Sequence, residues 1–312
     1  MRRDRLALGA ALLGLALFAP ATARAQAPAP GLPQRLGYPA GARLLVLHAD
    51  DLGMSHSVNR ATFEALEKGW ISSASILVPC PWFPEVATWA RAHPEADLGI
   101  HLALNSEWTS FRWRPLGAGG DVASLVDDQG YFPLVENTVA AKAKAPEVER
   151  ELRRQIDRAR SAGIRLSHLD SHMGALFQTA PLFTVYRGLG ASYGLPLLLE
   201  RTASPAGPAF LAAAQGDALI DRVLSIEPGV PASAWMAAYQ KMLEPLPPGA
   251  YQVILHLAYD DEEMRGATSD HPDWGAAWRQ SDFDMVRSAQ FRDWLKAKGF
   301  TLVRWRDLAR SR

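Results

Sequence analysis

Residues 43–53 read RLLVLHADDLG. Leu44, Leu45, Val46 and Leu47 run together without polar interruption. A short unbroken apolar run is the pattern of a strand buried on both faces, as in a parallel sheet covered by helices. The run stops at His48, Ala49, Asp50 and Asp51, and Gly53 follows. A buried strand that ends in titratable groups is the signature of an α/β barrel, where reactive residues gather at the carboxyl ends of the strands.

Outward from this stretch the pattern alternates. Residues 57–68 carry Val58, Ala61, Ala65 and Leu66 at helical spacing, with Gly69 as a stop. Residues 71–78 read as a second strand, 84–93 as a helix before Pro94, and 98–104 (LGIHLAL) as a third strand. Pro146 opens a helix with Glu147 and Glu149 in its first turn, and Gly163 closes it. Further strands are expected at 164–169, 195–199, 251–257 and 301–304, and further helices at 180–193, 234–243 and 281–298. This alternation predicts an α/β fold with mostly parallel strands. No Gly-x-Gly-x-x-Gly or Walker loop follows any strand, so a distorted or incomplete (β/α) TIM-like barrel is expected over a single catalytic domain, 41–312.

Residues 105–145 break the rhythm with Trp108, Phe111, Trp113 and the glycines Gly117, Gly119 and Gly120. Long irregular segments in compact domains are covering or functional. The aromatics have two readings, sugar platforms or ordinary packing, and Trp274 and Trp278 after His271-Pro272-Asp273 share both.

With 48% hydrophobic and 21% charged residues, the chain can bury a large core. Its net charge of zero gives no basic surface, so no nucleic-acid partner is expected. Arg2, Arg3 and Arg5 precede an apolar run at 6–20, and Ala23-Arg24-Ala25 supplies small residues for cleavage. This is the anatomy of a signal peptide over 1–25. The run is short for a span of roughly 20 residues, so no stable membrane span is expected after cleavage, and the mature protein is expected to be secreted or periplasmic. Arg2-Arg3 admits the twin-arginine route beside the general one. Residues 26–40, rich in Pro, Ala and Gly, read as an extended linker. The one cysteine, Cys80, excludes an internal disulfide and reads as a buried thiol.

The chemistry lies at four strand ends. The first carries Asp50 and Asp51, the third His101, the fourth Ser167-His168-Leu169-Asp170-Ser171-His172, and a late strand His256. Adjacent aspartates alone are often a turn or cap, and one strand histidine is often a core residue. In conjunction, one carboxylate and two imidazoles can make an open three-ligand metal site, with a further carboxylate to take a proton from water.

Residues 46–54 (VLHADDLGM) resemble the Asn-Ala-Asp-Asp-Phe/Leu-Gly opening of the YdjC/ChbG carbohydrate deacetylases. The resemblance continues in Val58-Asn59, in 69–75 (GWISSAS), in Gly99-Ile100-His101-Leu102, in 147–152 and in His168-Leu169-Asp170-Ser171-His172. It implies a divalent metal, magnesium or zinc, held by Asp51, His101 and His172. It implies Asp50 as general base and His256 as general acid. His168 and Asp170 would orient the ligands. The implied substrate is an N-acetylated amino sugar or oligosaccharide. The chain departs from the pattern at His48, where the family has Asn. It departs again at Met173-Gly174-Ala175, where further histidines are common, and at His256-Leu257 in place of His-Pro. Two other readings stay open: a glycosidase that pairs Asp50 or Asp51 with Asp170, and a periplasmic sugar-binding protein without a metal.

Overall fold

The computed structural model describes residues 31–201, 209–212 and 217–311. The signal-peptide reading of 1–25 lies outside them, as does part of the 202–232 stretch. Seven strands form one sheet among the described residues. They are β1 (Arg43–Leu52), β2 (Ser73–Ile76), β3 (Leu98–Leu102), β4 (Leu166–Ser171), β5 (Arg222–Leu224), β6 (Gly249–Leu255) and β7 (Phe300–Leu302). Every pairing is parallel, in the order β4-β3-β2-β1-β6-β5. β1 pairs β6 along residues 43–49 on one side. On its other side it pairs β7 at 43–45 and β2 from His48 onward.

The edges β4 and β5 do not pair directly. Residues 195–199, expected as a strand, make only one bridge, Leu169 to Leu197, and the next residue, Glu200, makes another to Ile220. Pro196 has no N–H to give to a ladder, so this segment can link the edges but not extend the sheet. The curled sheet is therefore an incomplete barrel, as the alternation predicted.

Helices pack over the sheet. Ser55 caps the first of them, His56–Glu67, by accepting from the Val58 N–H. The long helix expected at 281–298 is two, Ala276–Arg287 and Ala289–Ala297, with Ser288 extended between them. Each half buries its own apolar face, Phe283 and Val286 in one, Phe291 and Leu295 in the other. Residues 31–40 also differ from the expected linker. Leu32–Arg35 form a helical turn, and Leu32 is buried against Leu44, Val46 and Ala250. One apolar side chain with a place in the core overrides the Pro-rich composition. Cys80 is buried.

Two local features place the site. β1 carries a bulge: His48 and Ala49 pair Ser73 and Ala74, but Leu52 pairs Ile76, so one extra residue stands on β1. Within it Asp51 takes a left-handed backbone, φ 61°. Successive strand residues normally face opposite sides. The bulge turns both Asp50 and Asp51 into one cavity. The second feature is Gly99, where a Cβ would lie 2.4 Å from the His168 ring, so only glycine leaves room for that imidazole.

Candidate metal centre

The cavity is about 430 Å³ and opens at the carboxyl ends of the strands. Asp50, Asp51, His101, His172, His256 and Arg279 are among its walls. Asp51, His101 and His172 are buried, with one ligand atom each lying within 4.8 Å of the others. Asp51 Oδ1 is 3.7 Å from His101 Nε2 and 3.6 Å from His172 Nδ1. These separations are too long for hydrogen bonds. They suit atoms that share a cation, since two ligands about 2.0–2.2 Å from a tetrahedral metal stand about 3.4 Å apart. Asp51 Oδ1 also has no hydrogen-bond partner although it is buried, a cost that a cation removes.

The opposite nitrogen of each histidine is held by a carboxylate. Asp170 Oδ1 lies 2.7 Å from His101 Nδ1, and Glu107 Oε2 lies 2.9 Å from His172 Nε2. Each bond fixes the ring so that its other nitrogen faces Asp51 Oδ1, the arrangement by which carboxylates orient metal-binding imidazoles. The residues fit a divalent metal.

Charge at the site follows from burial and these pairs. Burial alone would raise Asp51, but Arg279 and His172 outweigh it and hold this carboxylate ionised. Arg279 Nη1 is 2.9 Å from Asp51 Oδ2, which leaves Oδ1 free for a cation. Burial disfavours a charged His101, yet Asp170 and the two neighbouring aspartates raise it to about 9. Burial pushes Asp50 up to about 8 against the pull of His101. Burial, then Arg279, lowers His256 to about 3, so its ring is neutral. The backbone N–H of His256 donates to Asp282, and its ring packs on Trp278.

A second cluster, His48, His168 and Asp170, is also buried and close enough to hold an ion. His48 Nε2 lies 3.1 Å from Asp170 Oδ2 and 3.0 Å from Ser75 Oγ. His48 Nδ1 has no partner. A metal on Nε2 would force the proton onto Nδ1 and strand a buried donor, so the cluster is a hydrogen-bond network that steadies Asp170. Asp170 is spent on these histidines and does not line the cavity, which removes the carboxylate pair of the glycosidase reading.

The expected aromatic platforms divide. Trp108 and Trp274 line the cavity. Trp113 and Trp278 are buried and are not among its walls: Trp113 packs behind His172 and gives its Nε1–H to the Asn105 carbonyl. Packing won at both positions: Trp113 anchors the long loop on the body, and Trp278 packs from the helix Ala276–Arg287 against Trp235 and the His256 ring. Glu107 and Arg279 were missed. Glu107 had a signal, since it stands six residues past His101 at the mouth of β3. Arg279 had none, being one arginine in a helix remote from every motif.

The fold and the site together define a class: incomplete α/β barrels with an Asp–His–His triad that could hold a cation, and a further carboxylate, at the carboxyl ends of the strands. Within that class the chain belongs to the YdjC-like protein family, whose model matches residues 44–297. It is 35% identical over 265 residues to a carbohydrate deacetylase of Thermus thermophilus, covering 83% of this chain and 91% of that one. A carbohydrate deacetylase of Geobacillus stearothermophilus is 35% identical over 163 residues, covering 52% and 62%. A solved Enterococcus faecalis structure, described as a putative cellobiose-phosphate cleavage protein, shares the fold with TM-score 0.73 at 23% identity, covering 86% and 99%.

Proposed function

We propose that the protein is a metal-dependent carbohydrate deacetylase that cleaves the N-acetyl group of an amino sugar or oligosaccharide. The observation that carries this is the triad itself: two imidazoles, each aimed by a carboxylate, and one aspartate oxygen left free beside them. A sugar-binding protein without a metal has no use for such a set. Two imidazoles suit zinc or another transition metal, and the carboxylate also admits magnesium.

Asp51, His101 and His172 would hold the cation, which when bound would polarise the acyl carbonyl and make a water easier to ionise. Asp50, once ionised, accepts a proton from the attacking water at its carboxylate. Water adds OH to the acyl carbon, the C–N bond breaks, and acetate and the free amine leave. The amine needs one proton. His256 lines the cavity and is its assigned donor, but a neutral ring must first take a proton up. Asp50 already holds one after the attack and is the second donor.

Acetate release from a panel of N-acetylated sugars, with and without chelator and with magnesium or zinc restored, tests the reading. Release that chelation abolishes and metal restores supports it. Release unchanged by chelation defeats it. Export to the periplasm or medium is proposed from residues 1–25 alone, and N-terminal sequencing of protein from each compartment tests it. No helix among the described residues is long and apolar enough to cross a membrane.

A further inference from the structure

Six large apolar side chains are prominently exposed among the described residues, and four of them line this one cavity. Leu134, Val135, Met173 and Trp274 are 38%, 46%, 45% and 37% exposed. They come from three separate segments: the long loop after β3, the turn after β4, and the short turn Pro272–Trp274. Convergence of separate segments on one opening is not what scattered surface residues give. A contiguous exposed apolar patch marks a binding surface.

Met173 is held there at a cost. It adopts a left-handed backbone, φ 47°, followed by Gly174 at 63°. An L side chain in that region costs on the order of 1 kcal/mol. Its sulfur accepts from Asn105 Nδ2 at 2.9 Å, which fixes the side chain across the mouth.

The lining is layered. Carboxylates, imidazoles and Arg279 surround the triad, and Leu134, Val135, Met173 and Trp274 stand with Ser225 and His271 as the exposed members of the wall. A sugar presents hydroxyls on its edges and needs donors and acceptors around it. Leu134 and Val135 offer none, and the Met173 sulfur, a weak acceptor, is already engaged by Asn105. Trp274 alone could cover a sugar face. Ligand pockets run from about 300 to 1,000 Å³. This cavity, about 430 Å³, is near the small end, so what adjoins the acylated sugar meets the apolar residues.

We propose that the substrate is amphiphilic: the acylated amino sugar carries an adjoining aliphatic group, which Leu134, Val135, Met173 and Trp274 cover. This deepens the deacetylase reading and rests on it for chemistry, not for binding. The aliphatic group has two possible sources, an alkyl aglycone or an N-acyl chain longer than acetyl.

The test uses the metal-loaded full chain and four substrates below their aggregation limits: N-acetylglucosamine, diacetylchitobiose, octyl N-acetylglucosaminide and N-octanoylglucosamine. We expect kcat/KM for one octyl substrate to exceed that for diacetylchitobiose by about tenfold or more, equal to about 1.4 kcal/mol. Which of the two it is identifies the side of the amide that the apolar residues cover. In Leu134→Gln/Met173→Gln the ratio should fall toward one, and a ratio is insensitive to a folded fraction below unity. Diacetylchitobiose equal to or better than both octyl substrates overturns the proposal. Binding of the same compounds to metal-loaded Asp50→Asn, by calorimetry, keeps the two readings apart. Tighter octyl binding with no turnover in the parent protein sinks the deacetylase reading and sustains the apolar subsite. Equal binding sinks the subsite even where acetate is released. A dimer that dissociates in the double variant, with the ratio unchanged, assigns the patch to a second copy and also overturns the proposal.

Discussion

His101 Nδ1 donates to Asp170 Oδ1 across 2.7 Å, and this bond turns Nε2 of the same ring toward Asp51 Oδ1. The two residues are register partners on β3 and β4, so the sheet itself sets their approach. Asp170→Asn weakens the acceptor and sets an amide where His48 needs an acceptor. The dissociation constant of the metal should rise about tenfold to hundredfold, read by competition with a chromophoric chelator. An unchanged constant would show that the ring is aimed by packing alone.

Asp50 lines the cavity but is not needed to complete the triad. Asp50→Asn should retain one metal per chain by elemental analysis and lose turnover by a factor on the order of 10² to 10⁴. Loss of the metal along with activity would make Asp50 a ligand instead.

His256→Ala separates the two donors for the leaving amine. If the ring delivers the proton, kcat falls by on the order of 10² while KM holds. A rise confined to KM leaves His256 as cavity wall and gives the proton to Asp50.

Burial raises Asp282 to about 6, although Tyr239, the His256 N–H and Trp235 all donate to it. Its folded pKa lies above its ordinary value of 3.8, so the folded chain binds the proton more tightly. The stability this confers is complete below that ordinary value and is lost as pH rises through about 6, on the order of 2–3 kcal/mol in all. Denaturant titrations of the wild type and Asp282→Asn across this window should show the slope in the first and its reduction in the second. The variant is less stable throughout, because its amide meets the His256 N–H.

Glu151 accepts from the Leu116 and Gly117 N–H groups and from Gln155, and so pins the long loop to the helix Ala145–Ser161. Glu151→Ala leaves three donors without this acceptor and should cost on the order of 3 kcal/mol. Thermal unfolding reads the loss. A Tm within about a degree of the wild type would mean that the loop is held elsewhere.

The core of β1, the alternation of strands and helices, and the cluster of acids and histidines at strand ends were legible in the chain order. Each depends on near neighbours: an unbroken apolar run dictates a doubly buried strand, and a strand's end follows from where the run stops. The family motifs are local in the same way, which is why Asp51, His101 and His172 could be named before they were seen together. The break at Ser288, the helical turn at Leu32 and the burial of Trp113 and Trp278 were not legible, because packing partners distant in sequence decide them.

By itself, then, the sequence determined an incomplete α/β barrel and the kinds of group at its mouth. Only the tertiary structure decided that one bulge turns two successive aspartates the same way. Only it decided that Glu107 and Asp170 aim the imidazoles, that Arg279 occupies one oxygen of Asp51 and leaves the other, and that four apolar side chains share the mouth. The reason is geometric. Side-chain direction at a bulge, and contact between residues as far apart as Asp51 and Arg279, are set by strand register and helix packing, which no short window of sequence contains.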